Sequence, residues 1–116
     1  MKVLLVEDCM IDYLIIAYSL KGAADIVWCR TVKEAIGLLD VTYDCILLDY
    51  RLPDGSGLDI VRVARRRGVT TPIIMTSSLD TTRAIVVNDV QAFIDKDAIV
   101  IRPGIVPETI NEVIRS

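Results

Sequence analysis

The chain has 116 residues, 53% hydrophobic, 25% charged and 5% aromatic, close to the modal size of one domain and aliphatic enough to close a core without disulfide or metal staples. Thirteen Lys and Arg against sixteen Asp and Glu leave a formal charge of -3, which argues against affinity resting on phosphate-backbone contacts and so against nucleic acid as a direct partner. With no histidine, and with Cys9, Cys29 and Cys45 lacking CxxC spacing, the chain excludes Ser-His-Asp and Cys-His catalysis, a histidine phosphodonor and a zinc site.

Short aliphatic runs alternate with segments of helical period as five βα units. The first run, 2–6, is too short for a signal peptide or a membrane span, so a cytoplasmic protein is expected. It leads into Glu7 and Asp8. Ile11, Leu14, Ile15 and Tyr18 then share one helical face, read as the apolar side of a first helix, and Lys21-Gly22 supplies a left-handed cap. A strand over 26–29 follows. It contains Trp28, read as edge or core packing, and Cys29, read with Cys45 as a buried thiol of a reducing compartment. Thr31-Val-Lys-Glu34 has capping-box spacing ahead of Ala35, Ile36, Leu38 and Leu39.

The third strand, 44–48, runs to Asp49. A helix over 58–67 turns Ile60, Val61 and Ala64 inward, carries Arg65, Arg66 and Arg67 in a solvated last turn that complements the helix dipole, and stops at Gly68. A strand over 72–76 ends on Thr76, a weaker helix is predicted over 80–88, and a strand over 92–94 precedes Lys96. Pro107 suits the first turn of a last helix ending near Arg115. Between them, Ile99-Val100-Ile101 and Ile105-Val106 flank Arg102-Pro103-Gly104. Most of these aliphatics are expected to be buried, as alternate residues of a short extended run; a partner or self-association patch is the other reading.

Three of the strands are continuous apolar runs, as expected when both faces of a parallel sheet are covered. The pattern predicts an α/β fold, a doubly wound five-stranded parallel sheet of flavodoxin-like type, whose ligands bind at the carboxyl ends of the strands. Glu7, Asp8 and Asp49 stand at those ends. Like charges so close raise their pKa values unless a cation shares them, and Mg²⁺ takes hard oxygen ligands while keeping waters for phosphate to replace. The Thr76 hydroxyl and the Lys96 ammonium complete a set suited to phosphoryl transfer.

Four fragments, Val6-Glu7-Asp8, Leu48-Asp49-Tyr-Arg-Leu-Pro53-Asp-Gly55-Ser-Gly57, Ile74-Met75-Thr76-Ser77 and Ala92-Phe93-Ile94-Asp95-Lys96, fall in order at the ends of four predicted strands. On them the chain resembles the CheY-like receiver domain of two-component response regulators over nearly its whole length. The resemblance implies that Asp49 is the phosphoacceptor and takes its phosphoryl group from a sensor histidine kinase or histidine phosphotransferase. The domain then catalyses only its own Mg²⁺-dependent phosphorylation and dephosphorylation. Asp8 and Asp49 would bind Mg²⁺ with the backbone carbonyl of Arg51, and Glu7 would act largely through water. Lys96 would pair with one phosphoryl oxygen and Thr76 donate to another. Thr76 and Phe93 would form the switch, the ring turning into space that Thr76 vacates, so that the face of the fourth and fifth helices and fifth strand binds a downstream protein, or a second copy as a homodimer.

The chain departs from the family in having Asp97 where proline is usual, Val90-Gln91 in place of Gly-Ala, a short stretch between Thr76 and Lys96, and no hydroxyl on Phe93. Residues 1–116 read as a single receiver without an output domain. The alternative is a receiver-fold interaction module regulated without phosphorylation, against which the retained acids, threonine and lysine argue. A Mg²⁺-dependent phosphatase with an aspartyl nucleophile needs an acid where Arg51 stands, and an FMN-binding relative needs neutral donors where Glu7-Asp8 stand.

Overall fold

The computed structural model describes residues 1–78 and 89–115. The apolar runs form β1 (Lys2–Val6), β2 (Asp25–Cys29), β3 (Cys45–Asp49), β6 (Ile73–Ser77) and β7 (Ala92–Asp95), with a small hairpin of β4 (Arg51–Leu52) and β5 (Gly55–Ser56) after β3. The helices are α1 (Met10–Ser19), α2 (Val32–Leu38), α3 (Gly57–Arg66), α4 (Lys96–Ile101) and α5 (Ile105–Arg115). The helix predicted over 80–88 lies outside the described residues. All five long strands are parallel in the order β2-β1-β3-β6-β7, and their ends agree with the predicted ones to within a residue. One of those shifts matters, because Asp49 is the last residue of β3 and pairs in register with Thr76.

The period-2 alternation of strand side chains divides the core. Leu4, Val6, Ile46, Leu48, Ile73 and Met75 face one side, where Ala35 of α2 and Ile60, Val61 and Ala64 of α3 cover them. Val3, Leu5, Cys45, Leu47, Ile74 and Ile94 face the other, beneath Ile16 and Leu20, Ile99 of α4, and Val106, Ile110 and Val113 of α5. Each such fully buried Leu or Ile contributes roughly 1.5–3 kcal/mol relative to exposure, so central strands apolar on both sides are what the doubly covered sheet requires. Both Cys29 and Cys45 are buried, and burial pushes their thiols up to about 12, as expected for inert packing residues.

Local signals end the helices as read. Gly22 and Gly68 both adopt φ +79, the left-handed region that follows a helix. Thr31 accepts from the Glu34 amide at the start of α2. A capping box between Ser56 and Asp59 starts α3 one residue earlier than predicted.

Three expectations need correction. The face of α1 that carries Ile11, Leu14 and Tyr18 is turned to solvent, with Ile11 69% and Tyr18 77% exposed, and the helix buries Ile16 instead. Since α1 is apolar almost all round, periodicity does not fix its rotation. The rotation follows from Asp12, which reaches Lys96, and Tyr13, which stacks on Trp28.

Arg65 is not part of a solvated turn. Its guanidinium donates to the carbonyls of Val69, Thr71 and Asp89 and to Oε1 of Gln91. That same Oε1 accepts from the Ile73 amide. The arginine thus ties the exit of α3 to the entries of β6 and β7, and Gln91 takes up a role that Gly-Ala has no side chain to fill. Arg67 likewise donates to the carbonyl of Ile36.

The segment 98–106 is not an extended run: α4 ends at Ile101, Arg102-Pro103-Gly104 form a turn and α5 begins at Ile105, so helical period decides the burial on either side of the turn. Ile99 and Val106 are buried and Ile105 partly so, whereas Val100 is exposed and Ile101 is 84% exposed. The residue in the usual proline position contributes to this helix start, because the Asp97 amide donates to Oδ1 of Asp95 at 3.0 Å. Proline has no N–H to make that bond.

Candidate functional site

Continuing the strand alternation past the carboxyl ends puts Glu7, Asp49, Thr76 and Lys96 on the side of Leu5, Leu47, Ile74 and Ile94, the side covered by α1, α4 and α5. The chain beyond Asp49 is pinned in several places. The Tyr50 amide donates to the carbonyl of Thr76 (2.8 Å), and the Gly57 amide to the carbonyl of Tyr50 (2.7 Å). At the turn of the hairpin, both Asp54 carboxylate oxygens accept from the first amides of α2, Val32 and Lys33 (2.7 and 3.0 Å), which holds that carboxyl below its ordinary value. Gly57 packs directly beneath the acid: a Cβ there would lie 2.5 Å from the Asp49 carbonyl oxygen and 2.7 Å from Cδ1 of Leu48. Only glycine permits that approach.

Lys96 is the hub of the cleft. Its Nζ lies 2.8 Å from Oδ2 of Asp49, 3.1 Å from Oε1 of Glu7 and 3.2 Å from Oδ2 of Asp12. Burial alone would lower the lysine's pKa, but the hydrogen bond to Asp49 and the charges of Glu7 and Asp49 outweigh it and raise it above its ordinary value. The ammonium is therefore a fixed positive charge.

Glu7 is 1% exposed. Burial first and the Asp49 charge second push its carboxyl from 4.5 up to about 7, against the opposing pull of Lys96. Oε2 accepts from the Cys9 amide. Oε1 has no hydrogen-bond partner among the described residues, so the Lys96 approach at 3.1 Å is an ion contact off the hydrogen-bond axis.

Glu7, Asp8 and Asp49 each offer an oxygen, and these lie within 4.8 Å of one another. An orphaned buried oxygen in a cluster of carboxylates fits a small hard cation such as Mg²⁺. A cavity of about 320 Å³ opens beside them, lined by Asp49, Tyr50, Arg51, Ser77, Ser78 and Lys96. The fold thus brings Glu7, Asp8, Asp49 and Lys96 together, with Arg51 on the cavity wall and Thr76 buried beside Asp49. Phe93 pairs in register with Met75 and packs against the core on the α2 and α3 side.

Sequence reasoning passed over Asp12 and Arg30, and read Trp28 as edge or core packing only. Asp12 lies one helical turn beyond Asp8, a spacing that points toward the same cleft. The link of Trp28 and Arg30 to the site carried no signal, because the groups that accept their hydrogen bonds are backbone: Nε1 of Trp28 donates to the carbonyl of Glu7 and the Arg30 guanidinium to that of Asp8, both at 2.8 Å.

A parallel sheet of this order, with its acids and lysine gathered at the carboxyl edge, is a doubly wound α/β domain with its ligand cleft where that class keeps it. Residues 3–100 match the response regulator receiver domain, and the chain belongs to that family. It is 50% identical over 56 residues to the response regulator protein PilR of Pseudomonas aeruginosa, covering 45% of this chain and 13% of that protein. It is 38% identical over 79 residues to the cell cycle transcriptional regulator CtrA of Caulobacter vibrioides, covering 66% of this chain and 34% of that one. The matched stretch spans about a third or less of these curated relatives.

Among solved structures, the receiver domain of a Pseudomonas aeruginosa sensor histidine kinase, with a magnesium ion coordinated in its active site cleft, aligns with a TM-score of 0.84 at 23% identity over 99% of this chain and 98% of that one. The response regulator domain of Thermotoga maritima CheB aligns with a TM-score of 0.81 at 19% identity over 100% and 97%. Both share the fold. Receiver domains are signalling modules of two-component systems. No described helix is long and apolar enough to cross a membrane.

Proposed function

We propose that Asp49 accepts a phosphoryl group from the phosphohistidine of a sensor histidine kinase or histidine phosphotransferase, and that the phosphorylated domain signals by binding another protein. The observation that supports this best is the position of one carboxylate, Asp49, on the cavity wall at 2.8 Å from Lys96 and within 4.8 Å of Glu7 and Asp8. In the transfer an Asp49 oxygen forms the O–P bond while the P–N bond to the donor ring breaks. The bonding pair leaves with the ring, which is protonated on its other nitrogen and departs as neutral imidazole. The product is a mixed anhydride, whose hydrolysis by water ends the signal.

The chain's own groups act on this group in definite ways. The Lys96 ammonium pairs with one phosphoryl oxygen, the Thr76 hydroxyl donates to another, and Thr76 with Phe93 relays the change toward the binding face. Asp8, Asp49 and the backbone carbonyl of Arg51 would hold Mg²⁺, with Glu7 acting through water, and the ion would supply charge neutralisation at the phosphoryl oxygens. In this reading residues 1–116 form one receiver unit working in the cytoplasm.

Intact-mass measurement after incubation with Mg²⁺ and acetyl phosphate tests the assignment. The wild type gains one hydroxylamine-labile phosphoryl group and Asp49→Asn gains none. An adduct of undiminished yield on Asp49→Asn overturns it.

A further inference from the structure

We propose that Trp28 is a positioning residue for the acidic turn, its indole N–H fixing the peptide that carries Glu7 and Asp8 so that their carboxylates are oriented before a cation arrives. The inference rests on the metal-dependent phosphoacceptor reading above. It starts from an accounting of backbone groups. The Glu7 amide donates to the carbonyl of Cys29, one step beyond the β1–β2 ladder. The next carbonyl, that of Glu7, has Nε1 of Trp28 as its donor at 2.8 Å. After it, the carbonyl of Asp8 takes the Arg30 guanidinium at 2.8 Å. Three successive peptide units of the turn are thus each held at one polar group by residues 28–30, and the ladder passes from backbone to side chain where the strands end.

With those groups fixed, the peptide planes flanking both acids are set, and with them the directions in which the two side chains leave the backbone. The indole is itself held: it stacks on Tyr13 of α1 with ring centroids 3.8 Å apart and planes 13° apart, and the Arg30 guanidinium lies 5.3 Å from its centroid. Packing alone does not call for an indole here. Trp28 is half-buried on the edge strand β2, where its neighbours Ile26 and Val27 are half-buried too, and an aliphatic or phenyl side chain would cover the same surface. The N–H is what sets tryptophan apart, and it is spent on the residue that bears the buried orphaned oxygen. Groups that orient metal ligands from behind typically alter affinity 10–100-fold when removed.

Trp28 is the chain's single tryptophan, which allows a clean test. Replacing it biosynthetically with benzothienylalanine keeps the bicyclic shape and deletes only the N–H donor; Trp28→Phe keeps a ring against Tyr13 and also lacks the donor. Mg²⁺ is titrated into each full chain and read by backbone amide NMR shifts. Thermal unfolding is recorded without metal, and the acetyl phosphate reaction is followed against Mg²⁺ concentration. The expected result is a half-saturating Mg²⁺ concentration raised about tenfold in both proteins, an unchanged phosphorylation rate at saturating Mg²⁺, and an unchanged unfolding midpoint for the benzothienyl protein. Wild-type Mg²⁺ affinity in the benzothienyl protein overturns the inference and leaves Trp28 a packing residue, whatever Trp28→Phe does. A wild type that binds no Mg²⁺ at all overturns the functional reading itself, and the inference with it.

Discussion

Lys96 is shared between Asp12 and Asp49: Nζ lies 3.2 Å from a carboxylate oxygen of the first and 2.8 Å from one of the second. Asp12 therefore draws on the same ammonium that the proposed transfer needs for a phosphoryl oxygen. Removing its charge while keeping its shape leaves Lys96 more available to an incoming anion. Both side chains are about a quarter to a third exposed, so the pair is worth on the order of 0.5–1 kcal/mol. Asp12→Asn is accordingly expected to speed phosphorylation by acetyl phosphate about two- to fivefold, read from the time course of the intact-mass adduct. A rate equal to or below that of the wild type would show that Asp12 does not compete for the lysine.

The buried Glu7 carboxyl gives the metal-free protein a distinctive pH dependence. Its pKa is 4.5 ordinarily and about 7 in the fold, so folding takes up a proton between those values. Its stabilising contribution is complete below about 4.5 and is lost as pH rises through about 7. In chelator-treated samples scanned from acid to neutral pH, the unfolding midpoint of the wild type should fall relative to that of Glu7→Gln. Mg²⁺ acts in the opposite sense, because it competes with the proton on Glu7. Mg²⁺ affinity should therefore rise from about pH 6 to about pH 8 as the Glu7 carboxyl ionises. A flat Mg²⁺ affinity over that range would mean that Glu7 is already ionised without metal.

Much of this site was legible in the residue order, and the reasons are physical. Parallel strands must end at one edge of the sheet, so Glu7, Asp8, Asp49, Thr76 and Lys96 could be assigned to one cleft from the strand pattern alone, before any contact was known. The rotation of α1 was not legible, because Met10, Ile11, Tyr13, Leu14, Ile15 and Ile16 offer a core face in nearly any orientation. It is decided by a long-range ion pair and a ring stack instead. Arg65 and Gln91 were opaque for a related reason: they bond each other and main-chain groups at the entries of β6 and β7, which only the folded sheet brings together. The segment 98–106 was misread as extended because an aliphatic triplet satisfies either period. The cap that starts the helix there, Asp95 accepting from the Asp97 amide, was within reach of the sequence, since Asp97 offers the N–H that proline lacks.

Gly57 links the stability of the fold to the position of the proposed phosphoacceptor. A methyl group at this position would overlap the Asp49 carbonyl oxygen, a backbone atom at the end of a central strand, as well as Leu48. The Leu48 methyl is the end of a side chain, but the Asp49 carbonyl is backbone and has no rotamer to change, so the strand end itself must move. Gly57→Ala should cost about 1–3 kcal/mol, seen as a fall in the unfolding midpoint of roughly 4–15 °C, and should slow phosphorylation because Asp49 shifts away from Lys96. A variant with unchanged midpoint and unchanged rate would mean that the start of α3 relaxes without involving the acid.

Two isoleucines of α4 test whether the turn after the lysine is a helix or an extended run. In an extended run Ile99 and Ile101 point to the same side and share one fate. In the helix they diverge: Ile99 is 4% exposed, packed with Ile94, Val106 and Ile110, whereas Ile101 is 84% exposed at the end of the helix. Ile99→Ala removes buried aliphatic volume between α4 and the sheet and should cost about 2–5 kcal/mol. Ile101→Asp exchanges one solvated side chain for another and should change stability by no more than about 0.5 kcal/mol. Urea unfolding of the two variants beside the wild type gives both values, with the slope of the transition checking that the unfolded states are comparable. Equal losses in both variants would restore the extended reading and place Ile101 in the core.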